Sequence, residues 1–270
     1  MPGVAVTIEP QRYFAEKIAG EYFSVHTVVP PGQSPETYDP SPYEMVRIAQ
    51  SRAYLQIGRI GFEQAWMDAV RKNNPQVRFF DLSEGVEWIE NGHDYEAAHG
   101  HRHDHFDPHI WTSTVNAEII AHNVLQAFIG MDSVHEHVYR DNFRQLTDEI
   151  GVTRQILHGI LDTLSCRTFV IYHPALTYFA GEFGLTQLAI EADGKEPSAL
   201  SMRALVDRAR AAGVEVVFVQ QEFDRKHAEQ LAVEINARVV VINPLDRRWN
   251  EQLVFIANAL CGRQSLCRHE

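Results

Sequence analysis

One pattern occurs twice along this chain: short β-branched runs alternate with stretches whose apolar residues recur at helical spacing. In the first half the runs are residues 4–8, 24–29, 53–57 and 77–82, with helical stretches at 10–18, 44–51 and 62–70 between them. Phe62, Ala65, Trp66, Ala69 and Val70 follow i, i+3, i+4 spacing and so share one helix face. The second half repeats the alternation with runs at 168–172, 186–190, 214–219 and 238–242. Its helical stretches are 174–183, 198–212, 227–235 and 250–260. Between the halves, a helical pattern follows Asp132 and continues to about Leu164, with the mixed polarity of a helix that bridges two lobes. Alternating β and α elements favour parallel sheets covered by helices. The expected architecture is therefore two α/β lobes, residues 1–132 and 166–270, joined by a long helix at 133–165.

A chain of 270 residues suits roughly two domains of ordinary size. With 45% hydrophobic and 22% charged residues it has the composition of a soluble globular protein. Its net charge of -12 disfavours nucleic acid and anionic membrane surfaces as partners, and attracts cations weakly, subject to screening by salt. No apolar run is long enough to span a bilayer. The opening MPGVAVTIEP lacks the basic and apolar regions of a signal peptide, so the chain is read as either cytosolic or a mature form without its leader. Cys261 and Cys267 are close enough in sequence to pair, which would leave Cys166 alone.

Residues 83–108 form a long polar segment, and segments of that length inside a compact domain are usually functional or disordered. The segment leads into HGHRHDHFDPHIW, with His99, His101, His103, His105 and His109 beside Asp104 and Asp107. Imidazoles and carboxylates at this density suit a borderline divalent ion, zinc above all.

Ligands of open α/β sheets bind beyond the carboxyl ends of the strands. Three residues pass that filter. Glu36 lies beyond the run ending at Val29, in the proline-stiffened loop GQSPETYDPSP; it reads equally as an exposed loop carboxylate. His173 directly follows the run ending at Tyr172, where a hydrogen-bonded structural histidine would also fit. His109 closes the long loop, and Pro108 with Ile110 and Trp111 marks it as anchored rather than as the last member of a loose tract. No GxSxG, P-loop, HExxH or GxGxxG motif is present. His135 and His137 stand two apart, which does not put both on one helix face, and they read as helix-surface residues. Cys166 has no base near it in sequence and is not read as a nucleophile.

Several segments together resemble the zinc- and manganese-specific solute-binding proteins of bacterial ABC importers, the ZnuA/TroA-like group. PPGQSPETYDPSP is similar to that family's PxGxSPHxYxP loop. FDPHIW is similar to its DPHxW motif, with a His-rich loop upstream as in the zinc branch. VIYHPALTYFAGEFGL is similar to FHxAxxYFxxxYGL, and EPSALSMRALVDRARAAGVEVVFVQQEF is similar to PSxxxLxxLxxxxxxxxVxxVFxExxF.

The resemblance covers nearly the whole chain. It implies two Rossmann-like lobes on a rigid backbone helix, with the metal in the cleft between them. It also implies a periplasmic location or one on the outer face of the cytoplasmic membrane, and delivery to a permease in the inner membrane. The expected protein is a monomer that binds a metal ion and no nucleic acid, and it is not an enzyme.

The metal ligands implied are His109 and His173, with Glu36 where the family has a histidine. The family's late acidic ligand falls on Asn243 in INPLD; Asp246 lies three positions beyond and does not match the motif, so water, Asn243 or Asp246 could complete the set. Glu, His, His suits Zn2+, at distances near ~2.0–2.2 Å. An oxygen-richer set would suit Mn2+. The histidine loop at 93–108 would then gather metal loosely. The alternatives are a manganese-specific binding protein or a metal-binding adhesin of the same fold. Less favoured is a zinc hydrolase, for which the sequence offers no general base.

Overall fold

The computed structural model describes residues 1–90, 106–191 and 197–262. His99, His101, His103, His105 and Cys267 lie outside these residues, and with them the expectations for a metal-gathering loop and a Cys261–Cys267 pair. The chain divides into two units, Met1–Trp111 with Val115–Thr147, and Thr112–Thr114 with Asp148–Glu270. No helix among the described residues is long and apolar enough to cross a membrane.

The first unit alternates β1 (Gly3–Val6), α1 (Glu9–Ala19), β2 (Ser24–Thr27), α2 (Pro42–Ala49), β3 (Ala53–Gln56), α3 (Gly61–Asn73) and β4 (Arg78–Asp81). The strands are parallel, in the order β2-β1-β3-β4. Val4, Ala5 and Val6 are fully buried, as expected of a central parallel strand covered on both faces. One face of the sheet packs Ala5 and Tyr54 against Ile48, Phe62, Met67 and Val70.

The run at 24–29 forms a shorter strand than its composition suggests. Its last two amides still bond beyond it, Val28 N–H to Val6 C=O at 2.9 Å and Val29 N–H to Thr7 C=O at 3.0 Å. The proline-rich loop that follows ends at a capping box. Ser41 N–H donates to Glu44 Oε2 (2.6 Å), Glu44 N–H donates to Ser41 Oγ (3.4 Å), and Pro42 opens α2.

After β4 come a 3-10 turn at Ile110–Thr112, α4 (Thr114–Met131), a second 3-10 turn at Ser133–His135 and α5 (Glu136–Leu161). The helical pattern expected from Asp132 onward is thus broken at its start. His135 is no helix-surface residue: its Nδ1 lies 2.7 Å from Asp132 Oδ2, and its ring stacks on Tyr22 at 4.0 Å.

The second unit holds β5 (Thr168–Ile171), α6 (Thr177–Glu182), β6 (Thr186–Ala189), α7 (Ala199–Ala211), β7 (Val216–Gln220), α8 (Lys226–Ile235), β8 (Arg238–Ile242) and α9 (Trp249–Leu260). Its parallel sheet, β6-β5-β7-β8, has the same strand arrangement as the first. Val170, Val217 and Val219 pack against Leu205, Val206, Ala209, Ala228 and Leu231 on one face. The helix expected at 174–183 opens only at Thr177. Its would-be first turn is spent on other bonds, Ala175 N–H to His173 C=O (2.7 Å) and Leu176 N–H to Gln187 Oε1 (2.9 Å).

In each sheet the strand built first connects to one edge and the chain then crosses back to build the other half, so the winding reverses between the two central strands and leaves a crevice at their carboxyl ends. In the first unit this crevice is filled by Glu63, 3% exposed. Ile57 N–H donates to its Oε1 and Gly58 N–H to its Oε2, both at 2.8 Å, and Thr7 Oγ1 donates to Oε1. Burial pushes the carboxyl up to about 8 against these bonds, with nearby Asp81 adding to the rise.

The folded protein therefore keeps this proton well above the ordinary carboxylate value of 4.5, at which the unfolded chain releases it. The stabilisation is complete below about pH 4.5 and is lost as pH rises toward 8. Glu63→Gln, which carries no titrating group, should flatten the decline in unfolding free energy between about pH 5 and pH 8. Denaturant titrations of both proteins across that range check it; parallel pH profiles would refute the assignment.

Candidate metal centre

His109 is held by the residue two before it. Asp107 Oδ1 accepts from the His109 backbone N–H at 2.8 Å and lies 2.9 Å from the ring Nδ1. Asp107 is 2% exposed, and its own N–H donates to Ile89 C=O at 2.9 Å, so backbone bonding fixes the acceptor itself. A carboxylate can only accept, so Nδ1 carries the proton and Nε2 the lone pair. The ring packs against Trp111 at 5.2 Å, and the 3-10 turn begins with the next residue, Ile110. Upstream, Glu90 and Phe106 pair in an isolated antiparallel bridge. Phe106 also packs under the Arg59 guanidinium at 4.4 Å.

Glu36 is not an exposed loop carboxylate. Its Oε2 accepts from Gly61 N–H at 3.1 Å, at the first residue of α3, where the helix dipole favours a negative charge. Phe62 N–H donates to Pro35 C=O at 2.8 Å, so two successive amides of the α3 start grip the loop. The grip demands glycine: a Cβ on Gly61 would come within 2.5 Å of Glu36 O and 2.9 Å of Glu36 Cα. Glu36 Oε1 is buried and has no hydrogen-bond partner among the described residues. A buried acceptor left so costs about 1–3 kcal/mol, more if it is charged.

In the second unit His173 follows β5 and repeats the arrangement of His109. Its Nδ1 lies 3.3 Å from Oε1 of Glu191, which is 7% exposed. With Nδ1 donating to that carboxylate, Nε2 again holds the lone pair. The backbone of His173 is clamped on both sides by one amide: Gln220 Nε2 donates to His173 C=O at 2.6 Å, and His173 N–H donates to Gln220 Oε1 at 3.3 Å. The ring stacks on Phe223 at 5.3 Å, 20° from parallel.

The two residues considered for a fourth ligand are otherwise engaged. Asn243 Oδ1 accepts from Leu245 N–H at 3.1 Å. Asp246 Oδ1 accepts from Arg248 N–H at 2.8 Å, and its carboxylate faces the Arg248 guanidinium at 3.4 and 3.5 Å.

Each expected ligand thus sits in a built setting, Glu36 and His109 in the first unit and His173 in the second. Among the described residues no group of three or more His, Cys, Asp and Glu side chains stands together as a metal cluster. Asp107, Glu191 and Gln220 were not singled out from the sequence. Asp107 and Glu191 carried legible signals, an acid two residues before His109 and an acid just past the end of β6. Gln220 had none, because its role depends on β5 and β7 being neighbours.

A family model described as zinc-uptake complex component A, periplasmic, matches residues 4–257. The chain belongs to this family. The high-affinity zinc uptake system protein ZnuA of Bacillus subtilis is 25% identical over 257 residues, covering 92% of this chain and 80% of that protein. A crystal structure of ZnuA has 31% identity and a TM-score of 0.89, with 98% of this chain and 99% of that one covered. A zinc-bound deletion mutant of ZnuA, also 31% identical, gives 0.88 with 99% of each chain covered. The architecture is accordingly the two-lobed α/β fold of ZnuA, with its parallel sheets and long helix.

On this ZnuA-type frame the contact between Gly61 and the Glu36 loop makes a local prediction. Gly61→Ala should force the loop away from α3 and destabilise the protein by about 1–3 kcal/mol, the usual cost of overpacking. Equilibrium denaturation measures this. An alanine as stable as glycine would contradict the contact.

Proposed function

We propose that this protein captures Zn2+ outside the cytoplasm and delivers it to the membrane permease of an ABC importer. Glu36, His109 and His173 are its metal ligands in this reading. The observation that carries it is the paired state of both histidines: each has Nδ1 against a buried carboxylate, the arrangement that orients an imidazole to give Nε2 to a metal and raises its basicity. The half-buried Glu36, with an oxygen that no described group satisfies, supplies the compensating negative charge.

Membership of the periplasmic zinc-uptake family supports the location and the permease partner. That family consists of binding proteins rather than enzymes, which supports transport over hydrolysis. The protein acts as a monomer, and the tract histidines bind further zinc weakly. Manganese is the second fit, because a carboxylate in place of a third imidazole makes the donor set richer in oxygen.

Calorimetric titration should find one tight zinc site plus weaker ones. Deleting residues 93–105 should remove the weak sites and keep the tight one. His109→Ala, His173→Ala and Glu36→Ala should each weaken the tight site at least about tenfold, roughly 1.4 kcal/mol, in competition against a chelator. Wild-type affinity in all three variants would refute the ligand set. Zinc must displace protons from histidine, so affinity should also fall from about pH 7 to about pH 5. A flat profile would exclude imidazole ligands.

A further inference from the structure

The second sheet leaves its central crevice to polar side chains that the proposed ligand set does not use. β5 and β7 are its central, neighbouring strands, and parallel pairing carries both carboxyl ends to the same edge. His173 lies two residues past the end of β5, and Glu222 lies two residues past the end of β7. This is the switch point of the sheet, where open α/β folds bind their ligands.

Glu222 is partly buried, and its Oε1 is shielded from solvent with no hydrogen-bond partner among the described residues. Burial disfavours the ionised carboxylate, while hydrogen bonds from its own backbone and the Gln221 side chain, and nearby His173, favour it. The ring of His173 stacks on Phe223, the residue next to Glu222. Gln220, at the end of β7, holds the His173 backbone through both its carbonyl and its amide. One turn thus positions the histidine and carries the carboxylate. The crevice of the first sheet differs, since Glu63 there receives two backbone amides and the Thr7 hydroxyl and is satisfied from within the protein.

We propose that Glu222 is the fourth protein donor of the metal site, binding the ion through Oε1 beside His173 Nε2. This rests on the reading of His173 as a zinc ligand. It gives two imidazoles and two carboxylates in all, a set that neutralises a divalent charge. Glu222 takes the place that Asn243 and Asp246 do not fill, because their side chains are committed to Leu245 and Arg248. The second carboxylate also makes the site more tolerant of manganese, whose preference for oxygen exceeds that of zinc.

The test uses the full-length protein carrying H99A, H101A, H103A and H105A, so that tract histidines do not compete. Chelator competition with Zn2+ and Mn2+, the melting temperature with and without zinc, and the visible spectrum of the Co2+-loaded protein are measured for E222Q, E222A and H173A. E222Q should weaken zinc at least tenfold and manganese more than zinc. It should shift the cobalt bands and leave the metal-free melting temperature unchanged or higher, since burial opposes the carboxylate charge that the amide lacks.

Wild-type zinc affinity in both Glu222 variants, with affinity lost in H173A, would overturn the assignment of Glu222 and leave the transport reading standing. Wild-type affinity in H173A as well would overturn that reading too. Weaker zinc binding with a lower metal-free melting temperature and an unchanged cobalt spectrum would mark Glu222 as structural and also overturn the assignment.

Discussion

A buried carboxylate against the Nδ1 of an imidazole is the interaction on which the proposed metal site depends. It decides which nitrogen holds the proton and therefore which one can donate to a metal. Asp107 performs this for His109 at 2.9 Å and Glu191 for His173 at 3.3 Å. In both cases the backbone of the histidine is tied as well, by Asp107 in one and by Gln220 in the other. A ring fixed at both ends loses little freedom on binding an ion, so more of the coordination energy appears as affinity.

The two sheets share one strand arrangement but use their central crevices differently. In the first, Glu63 occupies the crevice and ties the ends of β1 and β3 together through Thr7, Ile57 and Gly58. The donors proposed for that unit come instead from longer connections: Glu36 from the loop after β2, gripped by the start of α3, and His109 from the segment after β4. In the second, the crevice itself carries His173, with Gln220 and Glu222 on the adjoining turn. A carboxylate used as a structural plug in one unit thus has a counterpart in the other, Glu222, whose Oε1 has no hydrogen-bond partner among the described residues.

Much of the fold was legible in the sequence because parallel strands buried on both faces read as apolar runs. Val4 to Val6 and Val216 to Val219 needed no tertiary knowledge. The strand-end rule singled out Glu36, His109 and His173 as the proposed ligands. What it could not reach was their state. The half-burial of Glu36 follows from a close approach to Gly61, 25 residues away, that only glycine permits. Glu191 stands 18 residues from the histidine it orients, and Gln220 stands 47 away. Such partners are chosen by which strands become neighbours, and local periodicity does not encode that. Helix starts failed for a related reason: at Thr177 and Glu136, side chains and turns outside the helix took the first amides that a periodic pattern assigns to it.

The most direct test of the account is anomalous diffraction at the zinc absorption edge, on crystals of the zinc-loaded protein. The account predicts one strong peak with Nε2 of His109, Nε2 of His173 and a carboxylate oxygen of Glu36 all within ~2.0–2.2 Å of it. A fully occupied peak away from these atoms, or one bound through Nδ1 of either ring, would contradict it.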